Sequence, residues 1–201
     1  GSRIAELGRP METLTFDRDA LTEPETLSPE TLLVCPLSLV QTTVTVARVS
    51  HLVTLINGET LIDTPETIGH DRHLRLSMND IAEPRDGLVV PSEDHVATLI
   101  RFAENWDQKA PLLIHCWAGI SRSTAGAFVV LCALNPRADE HSLARALRRA
   151  SPTAYPNRRI VALADSVLDR GGRMSAAVDH IGRGLLAEEG KVFSLSARHA
   201  A

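Results

Sequence analysis

The chain has 201 residues, of which 44% are hydrophobic and 23% are charged, and its formal net charge is −4. This length suits one well-filled core better than two, and the composition is that of an ordinary globular chain. The negative charge argues against broad binding to nucleic acids or to anionic membranes, so any affinity for phosphate must be local.

Cysteine usage and hydropathy indicate the expected compartment. The three cysteines are odd in number and widely spaced, which does not suggest a disulfide framework. Cys35 and Cys132 lie in apolar segments and are expected to be structural. No apolar run approaches the length of about 20 residues that spans a bilayer. We therefore expect a cytoplasmic protein in a reducing environment, without a membrane partner.

Three regions are expected along the chain. Residues 1–10 are interpreted as a tag or leader, because Gly1-Ser2 resembles the scar left by a protease. Residues 11–186 are expected to form a single domain, and residues 187–201 a frayed tail. At the start of the domain, Glu12–Phe16 alternates between polar and apolar residues and is interpreted as an edge strand.

The first part of the domain mixes strand and helix signals. Thr31–Pro36 is an apolar run that ends at proline and predicts a strand. Ser38 with Gln41 fits a capping box, although the residues that follow are rich in Val and Thr, which favours a strand. Further on, Thr64-Pro65 predicts the start of a short helix, since proline suits the first helical position.

The middle of the chain contains a strand, an acidic loop and a helix. His73–Met78 alternates and predicts a strand. Residues 79–91 have the composition of a loop and are acidic. Ser92 is expected to cap the next helix, and Trp106 at the end of that helix is expected in the core.

The C-terminal part is predicted to be helical. Asn135-Pro136 is expected to end one helix and open another, and helices are also predicted over residues 158–170, up to Gly171-Gly172, and over residues 175–186. The helix after Asn135-Pro136 is expected to have a solvated face formed by Arg145, Arg148 and Arg149. Strands separated by helical patterns indicate an α/β fold, a three-layer sandwich with a mostly parallel central sheet and helices on both faces.

The most informative stretch runs from Leu112 to Leu134. It begins with an apolar run that predicts a buried strand, continues as a short loop and ends in an apolar helix. A strand, a tight loop and a helix N-terminus in this order form a binding site for anions. Cys116 starts the loop, where the field of the helix would favour a thiolate, and cysteines at sites of this kind can have a pKa of roughly 3.5–7.5 instead of about 8.5. The fork of donors on Arg122 suits two oxygens of a phosphate.

A motif in this stretch resembles the signature of the cysteine-dependent protein tyrosine phosphatase superfamily: His115-Cys116, five further residues, then Arg122-Ser123. Within it, the segment Ala118–Ser123 resembles most the dual-specificity branch. The resemblance extends over residues 38–157. It implies a helix over Leu39–Arg48, against local propensity, and then a strand at His51–Ile56. It also implies a turn at Tyr155-Pro156-Asn157.

The resemblance implies hydrolysis of phosphomonoesters through a phosphocysteine intermediate. Cys116 would be the nucleophile, Ser123 would donate to its sulfur, and His115 would support the loop by hydrogen-bonding its backbone. The phosphate would be bound by Trp117, Ala118, Gly119, Ile120, Ser121 and Arg122. No metal or cofactor is implied, and phosphate, sulfate and vanadate are the anions expected in the site.

The leaving group needs a proton that neither the cysteine nor the arginine of this motif can give. Asp80 follows a predicted strand, opens the acidic loop and matches the position of the general acid in the family. Glu83 and Asp86 in the same loop are the alternatives.

The favoured function is a protein phosphatase that acts on phosphotyrosine, with phosphoserine and phosphothreonine as further substrates to consider, so its partner is a phosphorylated protein or peptide. One alternative is a phosphoinositide or other non-protein phosphatase, against which the uncharged Trp117 and Ile120 count. A rhodanese-like sulfurtransferase or an arsenate reductase would also place a cysteine among amides. A phosphoprotein-binding module without catalysis is the remaining alternative.

Overall fold

A computed structural model describes residues 27–201. The expected leader over residues 1–10 and the expected strand Glu12–Phe16 lie outside this range. Within it, the chain folds around one sheet whose strands are β1 (Thr31–Pro36), β2 (His51–Ile56), β3 (His73–Ser77), β4 (Leu112–Cys116) and β5 (Phe193–Ser196).

The strands are arranged in the order β3-β2-β4-β1-β5. The first four are parallel, and β5 pairs antiparallel with β1 at the edge. The longer helices are α1 (Val40–Ala47), α2 (Glu93–Asn105), α3 (Arg122–Leu134), α4 (Glu140–Ala150), α5 (Arg158–Val167) and α6 (Arg173–Ile181), and short 3-10 turns lie at Leu37–Leu39 and His70–Arg72.

The sheet separates two apolar layers. Leu33, Leu52 and Leu113 pack on α1 on one face. Their sequence neighbours in the strands point to the opposite face, where the other five helices lie. None of the helices within residues 27–201 is long and apolar enough to cross a membrane. The predicted three-layer α/β sandwich is therefore confirmed.

The helix implied at Leu39–Arg48 is confirmed, as α1, despite its Val and Thr content. Val40, Val44 and Ala47 are spaced to lie on one face and are buried against the sheet. Propensity costs at most about 0.7 kcal/mol for each such residue, whereas full burial of a valine contributes about 1.5–3 kcal/mol. Packing on the sheet therefore decides the conformation of this segment.

Several local predictions are wrong. Ser38 does not cap α1: Leu39 precedes this helix, and the Ser38 hydroxyl instead donates to Glu189 Oε1 at 2.6 Å. The segment after Thr64 forms a turn in which the amide of Ile68 donates to the carbonyl of Pro65, and no helix starts there. Arg148 is not a free surface charge, because its guanidinium donates to three backbone carbonyls, including that of Gly182 at 2.7 Å.

The C-terminal helices are shorter than predicted. The helix α5 ends at Val167, and α6 ends at Ile181, where Gly182 has a positive φ. The helix α4 begins at Glu140 with Asp139 as its cap, not at Pro136. These ends are set by caps and positive-φ residues, which terminate a helix earlier than the apolar pattern does.

The expectation of a frayed tail over residues 187–201 is also wrong. Phe193 and Leu195 are buried and alternate with serines, which is the period of a strand. This strand, β5, completes the sheet beside β1. The residues that lead into it cross the carboxyl ends of the central strands, which brings the C-terminal segment to the predicted anion-binding loop.

Candidate active site

The loop between β4 and α3 lies at the centre of the sheet. β4 pairs with β2 on one side and with β1 on the other. Cys116 is its last residue and Arg122 is the first residue of α3. Both are nearly buried, with exposed fractions of 2% and 7%. The segment from Trp117 to Ser121, here called the anion loop, connects them.

Four of the five carbonyl groups of the anion loop, and that of Cys116, are turned outward. Each of these five carbonyls accepts a hydrogen bond from a residue around the loop. The donors are His115 Nδ1 to Cys116 at 3.1 Å and the amides of Leu37 to Trp117 at 3.0 Å, Gly190 to Ala118 at 2.8 Å, Tyr155 to Ile120 at 2.9 Å and Asn157 to Ser121 at 3.1 Å.

The amides of the loop must consequently point inward. In a planar trans peptide the N–H group lies opposite the C=O group, so an outward carbonyl directs the amide of the next residue to the inside. The amide of Gly119 donates to Cys116 Sγ at 3.3 Å. Those of Ala118 and Ser121 have no acceptor among residues 27–201. The loop thus presents free donors around the sulfur, as a bound oxyanion requires.

Gly119 is required at the tightest point of this curve. Its φ is +70°, and an added Cβ would lie 2.8 Å from the backbone nitrogen of Pro36 and 3.0 Å from the carbonyl carbon of Cys35. No other residue type fits there without moving β1 away from the loop.

The sulfur of Cys116 lies among hydrogen-bonding groups. Cys116 Sγ is 3.1 Å from Ser123 Oγ, with the thiol as donor, and when the thiol is ionised the hydroxyl can donate to the sulfur in return. The first turn of α3 starts six residues later in the chain and points its amides toward the same space. Hydroxyl, amide and helix N-terminus are the features that favour a thiolate.

Arg122 has a buried donor without an acceptor. Its Nη1 donates to the carbonyl of Met78 at 2.9 Å, which holds the guanidinium at the end of β3. Its Nε is the only buried side-chain nitrogen or oxygen within residues 27–201 that has no hydrogen-bond partner. A buried donor left in this state costs about 1–3 kcal/mol, so the arrangement suits an anion that accepts from it.

Cys116 and Arg122 lie at the base of a pocket of about 550 Å³. Its walls include aromatic and apolar side chains, of which Trp117 is 59% exposed. The wall residues are Asp80, Ala82, Trp117, Ala118, Ile120, Ser121, Tyr155, Pro156, Asn157, Arg158, Ala187 and Glu188.

Of the three carboxylates considered as the acid, Asp80 alone lines this pocket, and Glu83 and Asp86 do not. Asp80 Oδ1 accepts from Ser121 Oγ at 2.7 Å and from Asn157 Nδ2 at 2.9 Å. The acid candidate is thereby fastened to the anion loop and to the start of α5.

His115 is fully buried behind the loop and does not line the pocket. Its Nδ1 contacts the Cys116 carbonyl, and its Nε2 lies 2.8 Å from Thr54 Oγ1. Burial lowers the pKa of His115 to about 4, with the hydrogen bond to the Cys116 carbonyl opposing that shift. The ring is neutral at pH 7 and can support the loop, but it cannot touch a ligand in the pocket.

The sequence did not indicate the contribution of the C-terminal segment. Ala187 and Glu188 line the pocket, the Glu189 carboxylate accepts from Ser38, and the Gly190 amide holds the Ala118 carbonyl. The alternation from Phe193 onward was a signal for β5, but residues 187–190 have no pattern that predicts this position. No group of three His, Cys, Asp or Glu residues within residues 27–201 is arranged to hold a metal ion.

Comparison with known proteins gives the fold. No family model and no curated protein matches the chain. Among solved structures, DUSP15 is similar with a TM-score of 0.54 and 17% identity, over 78% of this chain and 94% of that one. The Yvh1 phosphatase domain from Chaetomium thermophilum is similar with a TM-score of 0.52 and 19% identity, over 76% and 97%.

PTPMT1 in complex with PI(5)P has a TM-score of 0.53 and 16% identity, over 70% of this chain and 92% of that one. These structures share with the chain an α/β fold, that of the protein tyrosine phosphatases. The resemblance that the motif around Cys116 indicated is therefore confirmed for the fold.

Proposed function

We propose that the protein is a cysteine-dependent phosphatase that hydrolyses phosphotyrosine in proteins. One observation supports this above all others: Arg122, whose buried Nε has no hydrogen-bond partner within residues 27–201, lines the same pocket as Cys116. A phosphate dianion would accept from this Nε and from the inward amides of the anion loop. The same donors stabilise the charge spread over three oxygens in the transition state.

The first step would form a phosphocysteine. The Cys116 thiolate attacks phosphorus in line, a sulfur–phosphorus bond forms, and the bond from phosphorus to the ester oxygen breaks. Asp80 gives its proton to the departing oxygen. In the second step the Asp80 carboxylate takes a proton from water, the water oxygen attacks phosphorus, and the sulfur leaves as thiolate with inorganic phosphate as the product. Ser123 can donate to that thiolate.

The pocket walls support an aromatic phosphoester as substrate. Trp117, Tyr155 and Pro156 line the pocket, and flat or apolar side chains of this kind pack well on a phenyl ring. The three cysteines within the described residues are free, which supports the reducing, cytoplasmic location that we propose for this activity.

A phosphoinositide phosphatase is the second candidate, because PTPMT1 was solved in complex with PI(5)P. A polyanionic headgroup needs several cations. Besides Arg122, the pocket contains one cationic side chain, Arg158, and that side chain is paired with Asp179 at 2.7 Å. The charge of the pocket therefore favours the protein substrate.

The test is turnover of p-nitrophenyl phosphate and of a phosphotyrosine peptide in the presence of a metal chelator. Cys116→Ser should abolish both, because an alcohol at this position is not ionised at neutral pH, while vanadate binding persists. Cys132→Ser changes a buried cysteine far from the pocket and should keep the activity. Substantial turnover by Cys116→Ser would disprove the mechanism, and a wild-type protein that binds vanadate without turnover would be a binding module.

Assays on PI(5)P, thiosulfate and arsenate separate the remaining alternatives. The phosphotyrosine proposal expects the peptide to be the best substrate of the set by kcat/KM. A higher value for PI(5)P would assign the same chemistry to a lipid, and turnover of thiosulfate or arsenate alone would assign the pocket to another class of reaction.

A further inference from the structure

A line of hydrogen bonds leads from the surface to Cys116 on the α1 side of the sheet. Thr54 Oγ1 lies 2.8 Å from His115 Nε2 and 2.8 Å from His73 Nε2. The other ring nitrogen of His73 lies 2.7 Å from Thr64 Oγ1, which accepts from Arg75 Nη2 at 3.1 Å. Thr54 is the register partner of His115, so the two side chains share one face of the sheet.

The chemistry of the groups fixes the direction of every bond in this line. A carbonyl oxygen can only accept, so His115 Nδ1 carries a proton and its Nε2, in the neutral ring, must accept from Thr54. The single hydroxyl proton of Thr54 is then used, and its oxygen accepts from His73 Nε2. His73 Nδ1 must accept in turn from Thr64, whose oxygen accepts from the Arg75 guanidinium.

Both rings must be neutral for this order to hold, and their surroundings keep them so. Burial is the main reason that the pKa of His73 falls to about 4, with Arg75 and the neighbouring histidines His115 and His70 acting in the same direction. The pKa of His115 falls to about 4 through burial as well. At neutral pH the line is thus one uninterrupted sequence of donors that starts at a cation and ends at the Cys116 carbonyl.

The end of the line determines the geometry of the anion loop. The Cys116 carbonyl and the Trp117 amide belong to one planar peptide unit and point in opposite directions. Of the five outward carbonyls, four are held by backbone amides, and that of Cys116 is held by a side chain. The orientation of the Trp117 amide therefore depends on a ring that can rotate or change its tautomer unless something fixes it.

We propose that Thr54 and His73 are positioning residues of the active site, which act through His115 to hold the Cys116 carbonyl outward and the Trp117 amide inward. Neither residue lines the pocket. The effect on turnover rests on the proposed phosphatase function, whereas the effect on the loop and on the thiol does not.

The key variants are two substitutions of Thr54, one that removes its hydroxyl and one that keeps it. Thr54→Val has nearly the same shape and removes the donor to His115, whereas Thr54→Ser keeps it. Ser50→Ala is the matched control, since Ser50 Oγ lies 2.7 Å from the ring of His51 at the start of the same strand, away from the pocket. All three variants should be compared with the wild type in thermal unfolding, so that a loss of folded protein is recognised.

The first readout is the ionisation of Cys116, measured as the rate of alkylation by iodoacetamide against pH. Burial raises the pKa of Cys132 to about 12 and raises that of Cys35 too, so the reaction near neutral pH reports Cys116. Thr54→Val should move the midpoint to higher pH and weaken vanadate binding several-fold. Thr54→Ser and Ser50→Ala should match the wild type. A Thr54→Val profile identical to the wild type, or a Thr54→Ser profile as shifted as that of Thr54→Val, would refute the proposal.

The second readout needs no variant and no activity. Nitrogen-15 NMR of the imidazole rings should find His115 with its proton on Nδ1 and His73 with its proton on Nε2 at pH 7. Either ring in the opposite tautomer, or charged, would overturn the proposal. If the wild type shows these tautomers but hydrolyses no phosphoester, the proposed function is wrong and the role of Thr54 and His73 in the loop remains supported.

Discussion

The Asp80 carboxylate is held through one of its two oxygens. Ser121 and Asn157 both donate to Oδ1, so Oδ2 is the oxygen that can carry and release a proton. The donors come from the anion loop and from the start of α5, two elements that line the pocket. These two bonds fasten the start of the acidic segment, at Asp80, to the anion loop and to the cap of α5.

Asp80→Asn should lower turnover of a phosphotyrosine peptide by about 10²–10⁴-fold and that of p-nitrophenyl phosphate by much less. Tyrosine leaves as a phenoxide of pKa about 10, whereas nitrophenolate leaves without help. Any decrease of the wild-type rate at high pH that comes from the general acid should also disappear, because the amide of the variant has no such proton to lose. Steady-state pH profiles on both substrates provide the measurement.

Glu83→Gln and Asp86→Asn are the controls, since neither side chain lines the pocket. Both should keep the full pH profile. If one of them loses the high-pH decrease while Asp80→Asn retains it, the acid is that residue and the loop must rearrange in the complex.

At the residue scale, the sequence predicted what depends on local spacing. The positions of Cys116 and Arg122 relative to the strand and the helix follow from a few consecutive residues, and the structure places both in one pocket. Asp80 was distinguished from its neighbours by the resemblance, because no local sequence pattern separates one carboxylate in an acidic loop from another. The Met78 carbonyl that holds Arg122, and Thr54 behind His115, were not foreseen, because such contacts arise only when separate strands pair.

At the element scale, the segment between α6 and β5 has two roles. It lines the pocket with Ala187 and Glu188, and it fastens the anion loop through the Gly190 amide. This approach is very close: a Cβ on Gly190 would lie 2.9 Å from the carbonyl oxygen of Gly119 and 3.4 Å from that of Ala118.

Gly190→Ala should therefore displace the segment and weaken the binding of vanadate or phosphate several-fold, because the Ala118 carbonyl loses its donor and the Gly119 amide is then held only by Cys116 Sγ. Stability should change little, since β5 still pairs with β1. Binding can be followed by competitive inhibition, and unfolding by circular dichroism.

Gly58→Ala is the matched substitution, because a Cβ there meets only Ser77 at an ordinary 3.7 Å. It should bind the anion as the wild type does. Unchanged anion binding in Gly190→Ala would show that the C-terminal segment is a passive neighbour of the loop.

The predicted helices and strands were accurate where burial determines them and inaccurate where a single residue was the signal. Strands with continuous apolar runs and helices with a buried face were predicted near their observed bounds, because burial determines them. The short helix at Thr64 and the capping box at Ser38 rested on single-residue preferences, which tertiary contacts override. For α1 the local preference of Val and Thr was itself misleading, and the resemblance gave the correct helix.

At the scale of the whole molecule, one buried ion pair joins the helical layer. Arg170 and Glu140 are each 5% exposed, and Arg170 Nη1 donates to Glu140 Oε1 at 2.8 Å. Arg170 Nη2 donates to the carbonyl of Cys132. The pair thus connects the end of α3 with the start of α4 and with the turn before α6. The sequence did not indicate this pair, because the two residues lie 30 positions apart in the chain and belong to no motif.

Arg170→Ala should lower the free energy of unfolding by about 3–5 kcal/mol, because it leaves a buried carboxylate without its main partner. Arg173 also reaches Glu140 but has a side chain that is 60% exposed, so Arg173→Ala should cost less than about 1 kcal/mol. Urea denaturation of both variants provides the comparison. Equal and small losses would mean that the Glu140 carboxylate is protonated or hydrated in the folded protein.

The pairing of β5 with β1 determines how long the edge of β1 stays unpaired while the chain is synthesised. The two strands lie near opposite ends of the described residues, so a nascent chain exposes the outer edge of β1 until almost everything after it has been synthesised. An open edge of this kind presents unpaired N–H and C=O groups to which other chains can add. Contacts between such distant segments also form slowly. A chain interrupted between α6 and Gly190 would therefore lack the Gly190 contact and be open to association along β1.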